Sequence, residues 1–193
     1  MRLTKRHFRG PLSRSLPFHS NQQQDSCRAG GDSCSAAATE RRTTLSSHSN
    51  PDGVAADPYN LRRFLDAQRG VYEQAERELR ACRKQSHWMW FIFPQIKGLG
   101  HSAMAQRYAI SCVAEAKAYL DHPLLGPRLR AITQLVININ GLSIEEIFDY
   151  PDYHKFQSSM TLFANASDDN QVFEDALQKY FGAQYDCQTI KRL

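Results

Sequence analysis

Apolar residues recur at three- and four-residue steps through most of the chain after residue 56, and this period predicts helices. Asp57 followed by Pro58 reads as an N-cap with proline in the first helical turn, and Leu61, Phe64, Leu65 and Gln68 share the face that follows. Gly70 interrupts this helix. Val71, Tyr72, Ala75, Leu79 and Cys82 resume the step, with Glu76, Arg77, Glu78 and Arg80 assigned to the water-facing side. Met104, Ala105, Tyr108 and Ala109 form the next face, and Cys112, Val113, Ala116 and Leu120 extend it past an expected break at Ser111. His122 before Pro123 ends that run. Gly126 and Pro127 open a helix through Leu129, Ile132, Leu135, Val136 and Ile139, closed by Gly141. Ser143-Ile144-Glu145-Glu146 is a capping box and predicts a short helix to about Asp149. Asp152 starts a helix carrying Tyr153, Phe156, Met160, Phe163 and Ala164. Val172, Phe173, Ala176, Leu177, Tyr180 and Phe181 mark another, stopped by Gly182.

No alternating pattern of strand type reaches a useful length, and no repeat is visible. The expected fold is all-α: an irregular, single-core multihelical domain of about six or seven helices over residues 57–193. Residues 1–56 are rich in Ser, Thr, Gln, Gly and Arg without a sustained apolar period. They are expected to form a disordered N-terminal tail, because such composition cannot offset the entropy of ordering.

One window departs from the helical rhythm. Residues 86–102, SHWMWFIFPQIKGLGHS, hold both tryptophans, an apolar run, a proline and two glycines. The run from His87 to Phe93 fits a buried strand or a buried helical turn, which period alone does not separate. Pro94 stops either element. Gly98 and Gly100 bracket Leu99 and mark backbone that needs positive φ or a close approach. Ser102 then reads as the cap of a new helix. A plain structural reading also fits: aromatics as core, glycines as a turn.

Charge changes the picture little after residue 57. Up to Asp57 there are eight Lys/Arg against five Asp/Glu; from Pro58 onward there are sixteen against fifteen. The near-neutral second part lacks the basic face of a nucleic-acid binder, so no nucleic-acid partner is expected. No apolar run approaches the roughly 20 residues that span a bilayer, so neither is a membrane partner. The five cysteines, Cys27, Cys34, Cys82, Cys112 and Cys187, form no CxxC and no zinc-finger spacing. They read as reduced, intracellular thiols, with Cys82 and Cys112 acting as small hydrophobes. A monomeric cytoplasmic protein is expected. The alternative is mitochondrial, since the first 24 residues carry Arg2, Lys5, Arg6, Arg9 and Arg14 and no acid, as transit peptides do. Against that, Pro11 and Pro17 interrupt an amphipathic helix.

The block Ser86-His87-Trp88-Met89-Trp90-Phe91-Ile92-Phe93-Pro94-Gln95, with Gly98, Leu99, Gly100 and Ser102, resembles the hallmark of domain of unknown function 1810. Further agreement lies in Asp57-Pro58-Tyr59 with Arg63-Phe64, in the residues from Glu115 to Leu129 with His122-Pro123, and in Lys155-Phe156 with Ser159-Met160-Thr161-Leu162-Phe163. The resemblance covers residue 57 to the end of the chain. It implies a compact all-helical fold, named for a mycobacterial representative, and no defined activity. The name calpastatin, often carried by similar proteins, finds no support in these residues. The chain departs from the family pattern at Ala114, where an acid is usual, and at Ile147-Phe148-Asp149-Tyr150.

Polar residues inside these blocks are the candidates for chemistry. A phosphate or carboxylate would use the glycine turn of Gly98 and Gly100, the helix start at Ser102, and Lys97, Arg107 or Lys155 as charge partners. Trp88 or Trp90 would stack on a ring, with Gln95 and Tyr108 as polar contacts. The glycine spacing is neither a Walker loop nor a dinucleotide fingerprint. The leading expectation is a binding domain for a small anionic or nucleotide-like ligand near residues 87–107. One alternative is an enzyme on such a ligand with His87 as acid/base. Another is a protein-interaction module using an exposed Trp88 and Trp90. No cofactor is expected, and no metal, since His87, His101 and His122 lack ligand spacing.

Overall fold

Among residues 57–193, the part of the chain that a computed structural model describes, ten helices follow the apolar steps and no strand forms. They are α1 (Arg62–Gln68), α2 (Tyr72–Arg80), α3 (Met89–Ile92), α4 (Ala103–Arg107), α5 (Val113–Asp121), α6 (Leu125–Asn138), α7 (Ile144–Ile147), α8 (Asp152–Ala164), α9 (Gln171–Phe181) and α10 (Cys187–Ile190). The all-α expectation holds. Six helices have seven residues or more; the others are single turns of four or five residues, too short for a periodic signal. The tail and the transit segment expected over residues 1–56 lie outside the described residues.

Local signals set most boundaries. The Asp57 carboxylate accepts the Leu61 and Arg62 amides at 2.7 and 3.0 Å, so it serves the start of α1 from across a turn rather than from the N-cap itself. Ser143 and Glu146 close the capping box of α7, the Glu146 carboxylate taking the Ser143 amide at 2.7 Å. Gly182 ends α9 in the left-handed region, at φ 58°. The break near Ser111 is present, with Cys112 as the N-cap of α5. Cys112 is exposed there, not a buried small hydrophobe; the Glu115 amide and the Ser111 hydroxyl pull its thiol below the ordinary range.

The core is centred on α8, whose residues from Ser158 to Ala164 are all buried. Helices α9, α5, α10, α3 and α7 surround it, and α6 lies across α9, α5 and α2. Aromatic edges meet aromatic faces through the middle: Phe93 stands perpendicular to Phe156 at 5.0 Å, and Phe64 to Tyr119 at 5.0 Å. Burial pushes the Tyr119 hydroxyl well up, and that hydroxyl accepts from Gln68, itself buried and bonded to the Phe91 carbonyl at 2.9 Å.

Helices α5 and α6 meet so closely at Gly126 that a Cβ there would stand 1.9 Å from the Leu120 carbonyl oxygen. Backbone cannot yield as a flexible side chain can. Gly126→Ala should therefore lower unfolding free energy by about 3 kcal/mol, read from urea denaturation. An unchanged midpoint would show that the two helices separate without cost.

Candidate functional site

The turn between α2 and α3 is held by a carboxylate of α2 that its charge assigned to the water-facing side. Glu78 is 8 % exposed. Its Oε2 accepts the Gln85 amide at 2.8 Å, the Ser86 amide at 3.0 Å and the Trp88 indole N–H at 2.8 Å; its Oε1 accepts the Ser86 hydroxyl at 2.5 Å and the Gln74 amide group at 3.1 Å. Burial alone would push this carboxyl up, but the bonds from Ser86, Gln85 and Trp88 outweigh it and bring it down to about 2. The charge thus locks the indole, which is 0 % exposed, against Phe93 and Phe148.

From that fixed indole the chain makes one helical turn, α3, and leaves it at Pro94. Ile96 then pairs with Ile110 in extended form: the Ile110 amide donates to the Gln95 carbonyl and the Lys97 amide to the Ile110 carbonyl, each at 2.8 Å. Gly98 turns the chain at φ 94°. Ser102 caps α4, its hydroxyl accepting the Ala105 amide at 3.1 Å. The far side is tied by Arg63, which donates to the Arg107 carbonyl at 3.1 Å, the Ala109 carbonyl at 2.9 Å and the Glu115 carboxylate at 2.5 Å. Glu115, 3 % exposed, also accepts the Ser111 amide and hydroxyl.

These restraints enclose a hollow of about 380 Å³ lined by Gln95, Ile96, Lys97, Gly98, Gly100, His101, Ala105, Gln106 and Ala109. Of the expected site residues, Gln95, Lys97, Gly98 and Gly100 line it, and Ser102 caps the helix beside it. His101 and Gln106 join them; neither was expected to meet an anion, although His101 sits between Gly100 and Ser102. The Gln106 side chain bonds the His101 carbonyl at 3.1 Å.

The other expected residues stand elsewhere. Trp88 is interior. Trp90 is half-buried beneath Lys155, whose ammonium lies 4.6 Å from its ring centroid. Lys155 also bonds Asp152 at 2.8 Å, and Lys84 holds the other Asp152 oxygen at 2.7 Å. Burial raises the Asp152 carboxyl, yet the two lysines take it below its ordinary value. Arg107 lies over the ring of Tyr108, which is buried against Phe91. His87 is exposed and outside the lining.

Three other hollows differ in charge. One of about 450 Å³ between α1 and α5 sets Arg62 and Arg69 against Asp57 and Asp66; one of about 690 Å³ sets Lys117 against Asp121, Asp168 and Asp169; one of about 480 Å³ sets Arg130 against Asp169 and Asp175. The hollow beside Gly98 has Lys97 and, among the described residues, no carboxylate in its lining. Lys97 makes no ion pair among the described residues.

Comparison with known proteins agrees with this architecture. The family model described as "Protein of unknown function (DUF1810)" matches residues 58–193. The solved structure of the conserved hypothetical protein Rv1873 from Mycobacterium tuberculosis is similar at 55 % sequence identity, covering 71 % of this chain and 98 % of that one, with a TM-score of 0.70. No curated protein matches the sequence.

Because its folded-state value lies below the ordinary 4.5, Glu78 stabilises the fold above that pH and loses the contribution as pH falls toward about 2. Glu78→Gln would set an amide N–H against donors and should cost about 3 kcal/mol near neutrality. In urea titrations the gap between wild type and variant should narrow from pH 5 to pH 3. A gap independent of pH would refute the role given to this charge.

Proposed function

Since the chain belongs to the DUF1810 family, whose description names no activity, we propose from the geometry that the hollow beside Gly98 binds a small molecule carrying an anionic group. The observation that carries this reading is the lining: a lysine without an acidic partner among the described residues, a histidine, two side-chain amides and no carboxylate. An unpaired ammonium in a recess attracts an anion, and Gln95 and Gln106 supply donors that orient it. The walls are held by backbone bonds and by the Arg63 clamp, so little ordering cost falls on binding. The volume, about 380 Å³, fits a compound of sugar-phosphate size.

Binding is preferred to catalysis because the lining combines no nucleophile with a base to activate it. An interaction surface built on the two indoles is disfavoured by the burial of Trp88 and by the Lys155 ammonium that covers half-buried Trp90. The amides at the start of α4 are not invoked: the helix is five residues long and Ser102 already engages one of them.

Thermal shift of the full chain against inorganic phosphate, ribose 5-phosphate and ADP-ribose tests the reading. At a ligand concentration of about 100 Kd the fold should gain about 2.7 kcal/mol and melt several degrees higher, and Lys97→Gln should abolish the gain. The reading fails if every anion leaves the melting point unmoved, or if Lys97→Gln responds as the wild type does.

A further inference from the structure

The Gly98 turn is shaped around a second cation, contributed by a residue 94 positions away in sequence. Arg192 follows α10 and lays its guanidinium on Gly98. Its Nη1 donates to the Gln188 carbonyl at 2.6 Å and to the Gln188 side-chain oxygen at 3.1 Å; its Nη2 reaches the Gly98 carbonyl at 3.4 Å. A Cβ on residue 98 would stand 3.1 Å from Arg192 Nε and 3.7 Å from Cδ. The backbone angle of 94° requires glycine here, and a side chain would in addition press on the guanidinium.

We infer, resting on the binding reading above, that the hollow accepts a phosphoryl group and that Arg192 is its second cationic contact beside Lys97. Two of the five guanidinium N–H groups are held by Gln188 through Nη1. Among the described residues, the Nε and Nη2 edge, which faces Gly98, has only the long contact to the Gly98 carbonyl. That edge is a fork of parallel donors matched to two oxygens of one phosphoryl group. Arg192 makes no ion pair among the described residues, so its charge is available to a ligand.

The platform under it is firm. Asp186 caps α10 by accepting the Gln188 and Thr189 amides at 3.2 and 3.1 Å, the Thr189 hydroxyl at 2.6 Å and the Ser158 hydroxyl at 2.9 Å. Its own amide donates to Thr161 at 2.9 Å, which ties α10 to the central helix α8. Thr189 is 0 % exposed. The guanidinium is thus presented from the core rather than from a loose strand of chain. Lys97 lines the hollow, and Arg192, outside that lining, reaches its edge at Gly98, so two positive charges stand at a site with no acid in its lining among the described residues. A phosphate monoester, with a charge of about −1.5 to −2 near neutrality, balances them; a carboxylate leaves one over.

Isothermal titration of the full chain with ribose 5-phosphate, inorganic phosphate and acetate, on wild type, Arg192→Gln, Arg192→Lys and Lys97→Gln, tests this. Ribose 5-phosphate should bind at least about tenfold tighter than acetate, and Arg192→Gln should weaken it about tenfold with Arg192→Lys between the two. Melting without ligand should be unchanged in Arg192→Gln, since the side chain is exposed. If Lys97→Gln loses binding while Arg192→Gln binds as the wild type does, Arg192 has no part and the anion site stands. If acetate binds as tightly as the phosphates, the phosphoryl assignment falls alone. If no compound binds the wild type, both readings fall.

Discussion

The carboxylate of Glu78 is the constraint from which the rest of this structure follows. It is buried with no cationic partner among the described residues, and an isolated charge there would be costly. Five donors make it tolerable, and two of them are backbone amides of the turn that follows α2. The turn must therefore fold back over its own helix. That return brings the Trp88 indole to a single position in the core, and the indole in turn sets where Phe93, Pro94 and Gln95 leave α3. A hydrophobic contact would have left the ring free to slide; a hydrogen bond to a buried charge does not.

Two further polar anchors carry the same logic outward. Arg63 joins α1 to the segment after α4 and to Glu115 at the start of α5. Asp152 gathers Lys84 and Lys155, so that the turn after α2 is fastened to the first residues of α8. Each anchor crosses between elements whose apolar faces alone would allow several registers. Between them lies the only described stretch where the chain pairs in extended form, at Ile96 and Ile110, and there the hollow opens. Preorganisation of this kind lowers the cost of holding a small ligand in a shallow recess. It also explains why a segment rich in aromatic bulk yields a hollow with polar groups in its lining. The rings fill the space behind the turn, and the turn carries the polar groups to the surface.

Residues of the 86–102 window divide by depth. Trp88 and Phe93 are interior, Trp90 is capped by a lysine, and Lys97 and His101 face water. A single apolar run therefore serves the core and positions the site without lining it. Arg107, chosen for its charge, turns instead onto Tyr108, because its carbonyl is held by Arg63 and its side chain finds an aromatic face nearby. Lys155 is similarly engaged by Asp152 one turn earlier on its own helix.

The sequence by itself determined the helical class, the capping box at Ser143 and Glu146, the stops at Pro94 and Gly182, the break near Ser111 and the special character of Gly98. Each of these rests on interactions within a few residues, where period, caps and backbone angles act. Only the tertiary structure decided that Glu78 is buried: it shares the inner face of α2 with Ala75 and Leu79, but its charge argued for water until four donors from the following turn and one from Gln74 on α2 were in place. Only the tertiary structure brought Arg63 to Glu115 and Arg192 to Gly98. A charged side chain shows its sign in sequence but not its partner, because ion pairs and hydrogen bonds across a core join residues whose separation along the chain carries no periodic trace.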